Sequence, residues 1–163
     1  MAKKTTRART SQAGKRPRER PMMALSFPSD TRYLEMVRDV ARRFAESTGF
    51  EKADAQLIGL AVDEATTNVI EHAYRGSGSR EIEIHFDPKE DSLSIQILHD
   101  GSPIDLARIP EFDPKRFAAE HRTGGMGIYI MKQVMDRVDY GTAGSGRQMC
   151  LMVRSRKSKP KAD

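Results

Sequence analysis

Glu64, Asn68 and His72 recur every four residues in the run VDEATTNVIEHAY, a spacing that stacks their Cβ atoms along one side of a helix about 5 to 6 Å apart. An acid, an amide and an imidazole facing one place can hold a cation and move a proton. The carbonyl oxygen of an Asn suits Mg²⁺, and a carboxylate beside it can act as base on a bound hydroxyl or water. Leu57 and Ala61 fall on the same side in the two preceding turns. The pattern therefore predicts polar groups interrupting a buried stripe, which is costly unless they line a wet site or hold an ion. The alternative is the solvated side of a surface helix. His72 reads equally well as a hydrogen-bonded residue near the helix end.

Two further segments could serve the same ligand. In HDGSPID, Asp100 and Gly101 place a carboxylate at the end of a strand pattern, followed by a residue that lets the backbone turn sharply and approach a flat group. In RTGGMGI, glycines that include Gly125 and Gly127 immediately precede a helical pattern, where free backbone N–H groups and the helix dipole favour a phosphate. Each signal alone is weak, since DG is a common turn and a glycine run can simply be a flexible loop. The run is neither a dinucleotide fingerprint, for want of a parallel βαβ unit, nor a P-loop, for want of its Gly-Lys-Ser/Thr ending.

The elements that must position these residues are well punctuated. MALSF reads as a short strand, and Asp30 is an N-cap candidate before Leu34, Val37, Val40, Ala41 and Phe44, which recur at helical spacing up to Gly49. A second helix is predicted from about Ala53 to Tyr74, closing at RGSGS. EIEIHFD and SLSIQILHD alternate around PKED as an antiparallel hairpin. After Gly101 periodicity is lost to about Thr123; GGMG then opens a third helix, IYIMKQVMD, and RVDYGTAGSGRQMCLMVR reads as a last hairpin. Grouped helices and antiparallel strands predict an α+β two-layer sandwich, its mixed, mostly antiparallel sheet covered on one face by helices.

Composition narrows the function classes. The chain has 163 residues, 37% of them apolar, and fits one soluble domain. Its net charge of +5 is unevenly spread. Basic segments at 1–21 and 154–163, read as disordered tails, enclose residues 22–153, which are net acidic and form the expected domain. An acidic folded part argues against specific nucleic-acid binding. No run is long and apolar enough to span a membrane, and no secretory signal core is seen. The single Cys150, in an apolar strand pattern, reads as a buried structural thiol in a reducing compartment, and the expected location is cytoplasmic.

The order of the three segments is more specific than any one of them. Glu-x-x-x-Asn on a helix, Asp-x-Gly-x-Pro after a strand, and a long loop ending in Gly-x-Gly before another helix resemble the Bergerat-type ATP-binding fold of the GHKL superfamily. DEATTNVIEHAY, DGSPID and GGMGIYIMKQVMD look most like the anti-sigma factor serine kinases, and the resemblance covers roughly Leu25 to Val153. It implies that Glu64 is the general base and that Asn68 holds Mg²⁺ bridging the ATP phosphates. It implies further that Asp100 accepts from the adenine amino group, that Gly101 lets the base lie against the backbone, and that Gly125 and Gly127 let the lid end wrap the phosphates. Arg122 would reach the γ-phosphate from the lid. Ile104 departs from the family's common Phe.

By the same resemblance the chain would be a homodimeric serine/threonine kinase that phosphorylates an anti-anti-sigma factor, a STAS-domain protein, and sequesters a sigma factor. Phosphoryl transfer depends mainly on positioning and charge neutralisation, which fits a chain showing one candidate base. A non-catalytic ATP-binding anti-sigma or switch module, or a kinase of another partner-switching network, stays open at this point. A sensor histidine kinase is not expected, because the stretch before the first helix does not read as a dimerising hairpin with a phosphoacceptor His.

Overall fold

The computed structural model of the chain describes residues 21–105, 112 and 125–156. Strand β1 (Met23–Pro28) leads through a 3₁₀ turn (Thr31–Tyr33) into α1 (Leu34–Ser47), and α2 (Lys52–Asn68) continues into a π turn (Val69–Ala73). The hairpin of β2 (Glu81–Pro88) and β3 (Ser92–His99) follows; α3 (Met126–Val134), β4 (Arg137–Thr142) and β5 (Gln148–Ser155) complete the fold. The Asp30 carboxylate caps the 3₁₀ turn by accepting from the Arg32 backbone N–H at 2.9 Å, so the expected N-cap acts one short turn ahead of α1. Gly49, with φ +96°, ends α1 as its spacing suggested.

The five strands form one sheet in the order β1-β2-β3-β5-β4, and every neighbouring pair is antiparallel. The sheet is thus wholly antiparallel among the described residues rather than mixed. Its core face follows from strict alternation: Ile82, Ile84 and Phe86 on β2, Leu93, Ile95 and Ile97 on β3, and Cys150 and Met152 on β5 are fully buried. The helices cover that face. α2 lies between α1 and α3, packing on both, and it does so with small residues: Ala55, Gly59, Ala61 and Ala65 are buried. Gly59 is needed for the close crossing, because a Cβ there would stand 2.9 Å from the Arg38 carbonyl oxygen.

One expectation fails here. Leu57 is 42% exposed, so it does not mark the buried side of α2. The core side is carried by Ala55, Ile58, Ala61, Val62, Ala65 and Val69, and small residues at close helix crossings give a weaker pattern than a Leu does. The second helix also does not stay α-helical to Tyr74. At its end Tyr74 N–H donates to Val69 O at 2.9 Å, an i to i−5 bond, and this wider turn redirects the chain toward the sheet. β5 runs to Ser155, and the Arg156 guanidinium donates to Thr48 O at 2.7 Å. The terminal segments 1–20 and 157–163 lie outside the described residues.

Candidate functional site

The π turn brings α2 to the end of β3. Ser102 N–H donates to Ala73 O at 3.1 Å, which docks the chain just after Asp100 and Gly101 against the last residue of the turn. The fit leaves no room for a side chain: a Cβ on Gly101 would stand 2.7 Å from both Ala73 O and Tyr74 Cδ1. This meets the expectation that a glycine is required there, although the close neighbour seen is the chain's own backbone and ring. Gly101→Ala is accordingly expected to lose about 1 to 3 kcal/mol of stability through overpacking, checked by denaturant unfolding; an unchanged midpoint would show that the loop simply moves aside.

A cavity of about 400 Å³ opens beside this contact, lined by Ala73, Tyr74, Arg80, Asp100, Gly101 and Ser102. The Asp100 carboxylate is fixed from two sides. Tyr74 Oη donates to its Oδ1 at 2.7 Å, and Arg80 Nη2 pairs with Oδ2 at 3.0 Å. The hydroxyl of Tyr74, followed by Arg80, holds the Asp100 carboxyl below the usual carboxylate range, so it is an ionised acceptor at neutral pH. Burial pushes the Tyr74 phenol up to about 12, so it remains a donor. Beneath them His99 is buried and packs edge-on against Tyr74 with centroids 5.8 Å apart. Burial pushes the His99 imidazole down to about 4, so the strand end under Asp100 adds no positive charge near neutrality. Ile104, in place of the expected Phe, is partly buried against the core.

The other end of the site lies two turns back along α2. Glu64 is half-buried and faces the first turn of α3, where a Cβ on Gly127 would overlap its Oε2. Burial, then the neighbouring charges of Asp63 and Glu71, push the Glu64 carboxyl above its ordinary value. Asn68, one turn further on, is 8% exposed and its Nδ2 is buried without a hydrogen-bond partner. Gly125, with φ +84°, forms the left-handed N-cap of α3, and its carbonyl oxygen accepts from Tyr129 N–H at 3.1 Å. No cluster of three or more His, Cys, Asp or Glu able to cage a metal occurs among the described residues. The amide oxygen of Asn68 is of the donor type that Mg²⁺ takes, its other positions being filled by phosphates and water.

Of the residues singled out by sequence, Glu64 and Gly127 adjoin, Asn68 follows on the same helix, and Asp100 and Gly101 form the cavity by the π turn. His72 is exposed in that turn. Arg122 lies outside the described residues, as does most of the loop between Asp105 and Gly125. Tyr74 and Arg80 escaped the sequence reading. The sole signal for Tyr74 was its place at the end of HAY, and Arg80 had none.

An antiparallel sheet with one helical cover, a carboxylate–amide pair on the middle helix, a strand-end Asp-Gly cavity and a glycine-opened helix together define a class of nucleotide-binding domain. A family model described as histidine kinase-like ATPase domain matches residues 27–154, and the chain belongs to that family. Among curated proteins it is similar to the serine-protein kinase RsbW of Oceanobacillus iheyensis, 30% identical over 118 residues covering 70% of this chain and 75% of the relative. RsbW of Bacillus licheniformis is 27% identical over 118 residues, covering 70% and 74%. Among solved structures, the SiaB–SiaC complex from Pseudomonas aeruginosa contains a chain matched with a TM-score of 0.54 at 14% identity, covering 84% of this chain and 91% of that one. That likeness is one of fold. No helix among the described residues is long and apolar enough to cross a membrane.

Proposed function

We propose that the chain is an ATP- and Mg²⁺-dependent protein serine/threonine kinase that phosphorylates an anti-anti-sigma partner of the STAS type and sequesters a sigma factor, working as a cytoplasmic homodimer. The observation that carries this reading is the contact of the Glu64 carboxylate with the start of α3 at Gly127. It sets a candidate base beside a helix N-terminus that a glycine-rich loop opens, where a phosphate is favoured. The relatives named as serine-protein kinases support the choice of a hydroxyl acceptor.

In this reading α2 is the ruler of the site. Ala73 and Tyr74 meet the Asp100–Gly101 cavity at one end, and Glu64 stands roughly 13 Å earlier along the axis, so a nucleotide lies along the helix. Ionised Asp100, steadied by Tyr74, accepts from the exocyclic amine of adenine, and Gly101 admits the flat base. Asn68 presents its amide oxygen to Mg²⁺, which when bound neutralises phosphate charge during transfer. Glu64 takes the proton from the partner's Ser or Thr hydroxyl as that oxygen attacks the γ-phosphorus, and ADP leaves. Gly125 and Gly127 keep the N-terminus of α3 open to the phosphates, and Arg122 would reach them from the lid.

Calorimetric titration of the full chain tests the binding half. Asn68→Ala is expected to weaken ATP binding in the presence of Mg²⁺ and to leave metal-free binding nearly unchanged. Asp100→Asn is expected to weaken both, since an amide replaces an ionised acceptor. Both variants binding ATP as the wild type does would remove the site from this face of the fold.

A further inference from the structure

Tyr140 on β4 is directly paired with Cys150 on β5 and is partly buried against the hydrophobic core. Tyr140 Oη and Asn68 Nδ2 are both buried without a hydrogen-bond partner. A buried polar atom left without a partner is costly unless it is completed. Burial foremost, then the Cys150 thiol, raises the Tyr140 phenol, while Asn68 acts on it in the opposite sense, as an approaching N–H donor does. The three groups adjoin without an aligned hydrogen bond between Asn68 and Tyr140. Cys150 is fully buried, and burial pushes its thiol up to about 12, so it stays neutral.

We propose that Tyr140 is a positioning residue for Asn68: its hydroxyl accepts from Asn68 Nδ2 and thereby turns the amide oxygen outward to the metal and phosphates. An Asn amide has two ends of nearly equal size, one that donates and one that accepts. Only the oxygen can bind a cation. A hydroxyl facing the amide could accept from the nitrogen or donate to the oxygen, and the second choice would turn the wrong end to the nucleotide. Cys150 removes that ambiguity. Once the set is completed, its sulfur serves as acceptor for the Tyr140 O–H, which leaves the tyrosine lone pairs for Asn68, so polarity runs from Asn68 to Tyr140 to Cys150. This inference rests on the reading of Asn68 as the metal-holding residue and assigns that reading a second layer of support from the sheet.

The experiment is calorimetric titration of the full chain with ATP, with Mg²⁺ and again with the metal chelated, for Tyr140→Phe, Asn68→Ala and the double variant. Tyr140→Phe keeps the ring and its packing. It is expected to weaken Mg²⁺-ATP binding about fivefold, the order of one hydrogen bond, with metal-free ATP binding unchanged and no further loss in the Asn68→Ala background. Equal weakening with and without metal, an undiminished Mg²⁺-ATP affinity, or a full loss in the Asn68→Ala background overturns the positioning role. Asn68→Ala that binds Mg²⁺-ATP as the wild type does overturns the metal reading itself, and the positioning role with it. Should Tyr140→Phe fold poorly, Cys150→Ala removes the polarity instead and carries the same expectation at smaller size.

Discussion

Glu64→Gln is expected to bind Mg²⁺-ATP like the wild type and to phosphorylate the partner about 10² to 10⁴-fold more slowly, the range by which a positioned general base contributes. Gln keeps the length and hydrogen-bonding reach of Glu and loses the proton acceptor. The environment adds a pH signature. Burial, with Asp63 and Glu71 behind it, raises the Glu64 carboxyl, so the base form is lost as pH falls through a value above the ordinary carboxylate range. Transfer by the wild type should fall along that acid limb, and the variant should lack it. The same shift carries a stability consequence of opposite sense. A carboxyl whose folded pKa is raised favours folding only while protonated and burdens it once pH rises through the folded value. Glu64→Gln should therefore melt higher than the wild type at neutral pH, with the gain vanishing in acid. Transfer is followed with γ-labelled ATP and the partner captured from the native host. Undiminished transfer would place the base elsewhere, and a wild type that binds ATP and partner without transferring label would leave a silent binding module.

Much of this site could be read from the chain because its parts are local. Alternation through Leu93, Ile95 and Ile97 fixes the strand that ends beside Asp100, and helical spacing puts Glu64 and Asn68 one turn apart. What could not be read is set by neighbours distant in sequence. Leu57 reads as core, yet the core side of α2 is drawn by alanines and Gly59, whose meaning appears only when α1 crosses so closely that a Cβ on Gly59 would stand 2.9 Å from the Arg38 carbonyl oxygen. The π turn has no pattern of its own in VIEHA, and its last residue, Ala73, is tied to Ser102, distant in sequence. Tyr74 and Tyr140 look like ordinary aromatics in a helix end and a strand. Their hydroxyls gain meaning from Asp100, 26 residues later than Tyr74, and from Asn68 on another layer.

Gly127→Ala should separate catalysis from stability at the other face of Glu64. Ala is preferred to Gly in a helix, by about 1 kcal/mol in the interior and less in the first turn where Gly127 stands, and Gly127 has no left-handed φ that would penalise the change. Its new Cβ would overlap Glu64 Oε2 and stand 3.4 Å from the Glu64 Cδ. That obstacle is the far end of a flexible side chain, so the carboxylate can swing aside at small cost. The expected melting temperature is thus unchanged or slightly higher. Transfer is another matter, because a displacement of about 1 Å at a reacting group can lose about 10²-fold in rate. ATP binding should persist, since the helix N-terminus keeps its backbone N–H groups. The two substitutions then meet in one test: if Gly127→Ala acts only by moving Glu64, it should slow a Glu64→Gln background hardly at all, because the group it displaces no longer accepts a proton. A full further loss in that background would mean that Gly127 serves the phosphates directly, and undiminished transfer in the single variant would show that the base does not depend on its place against α3.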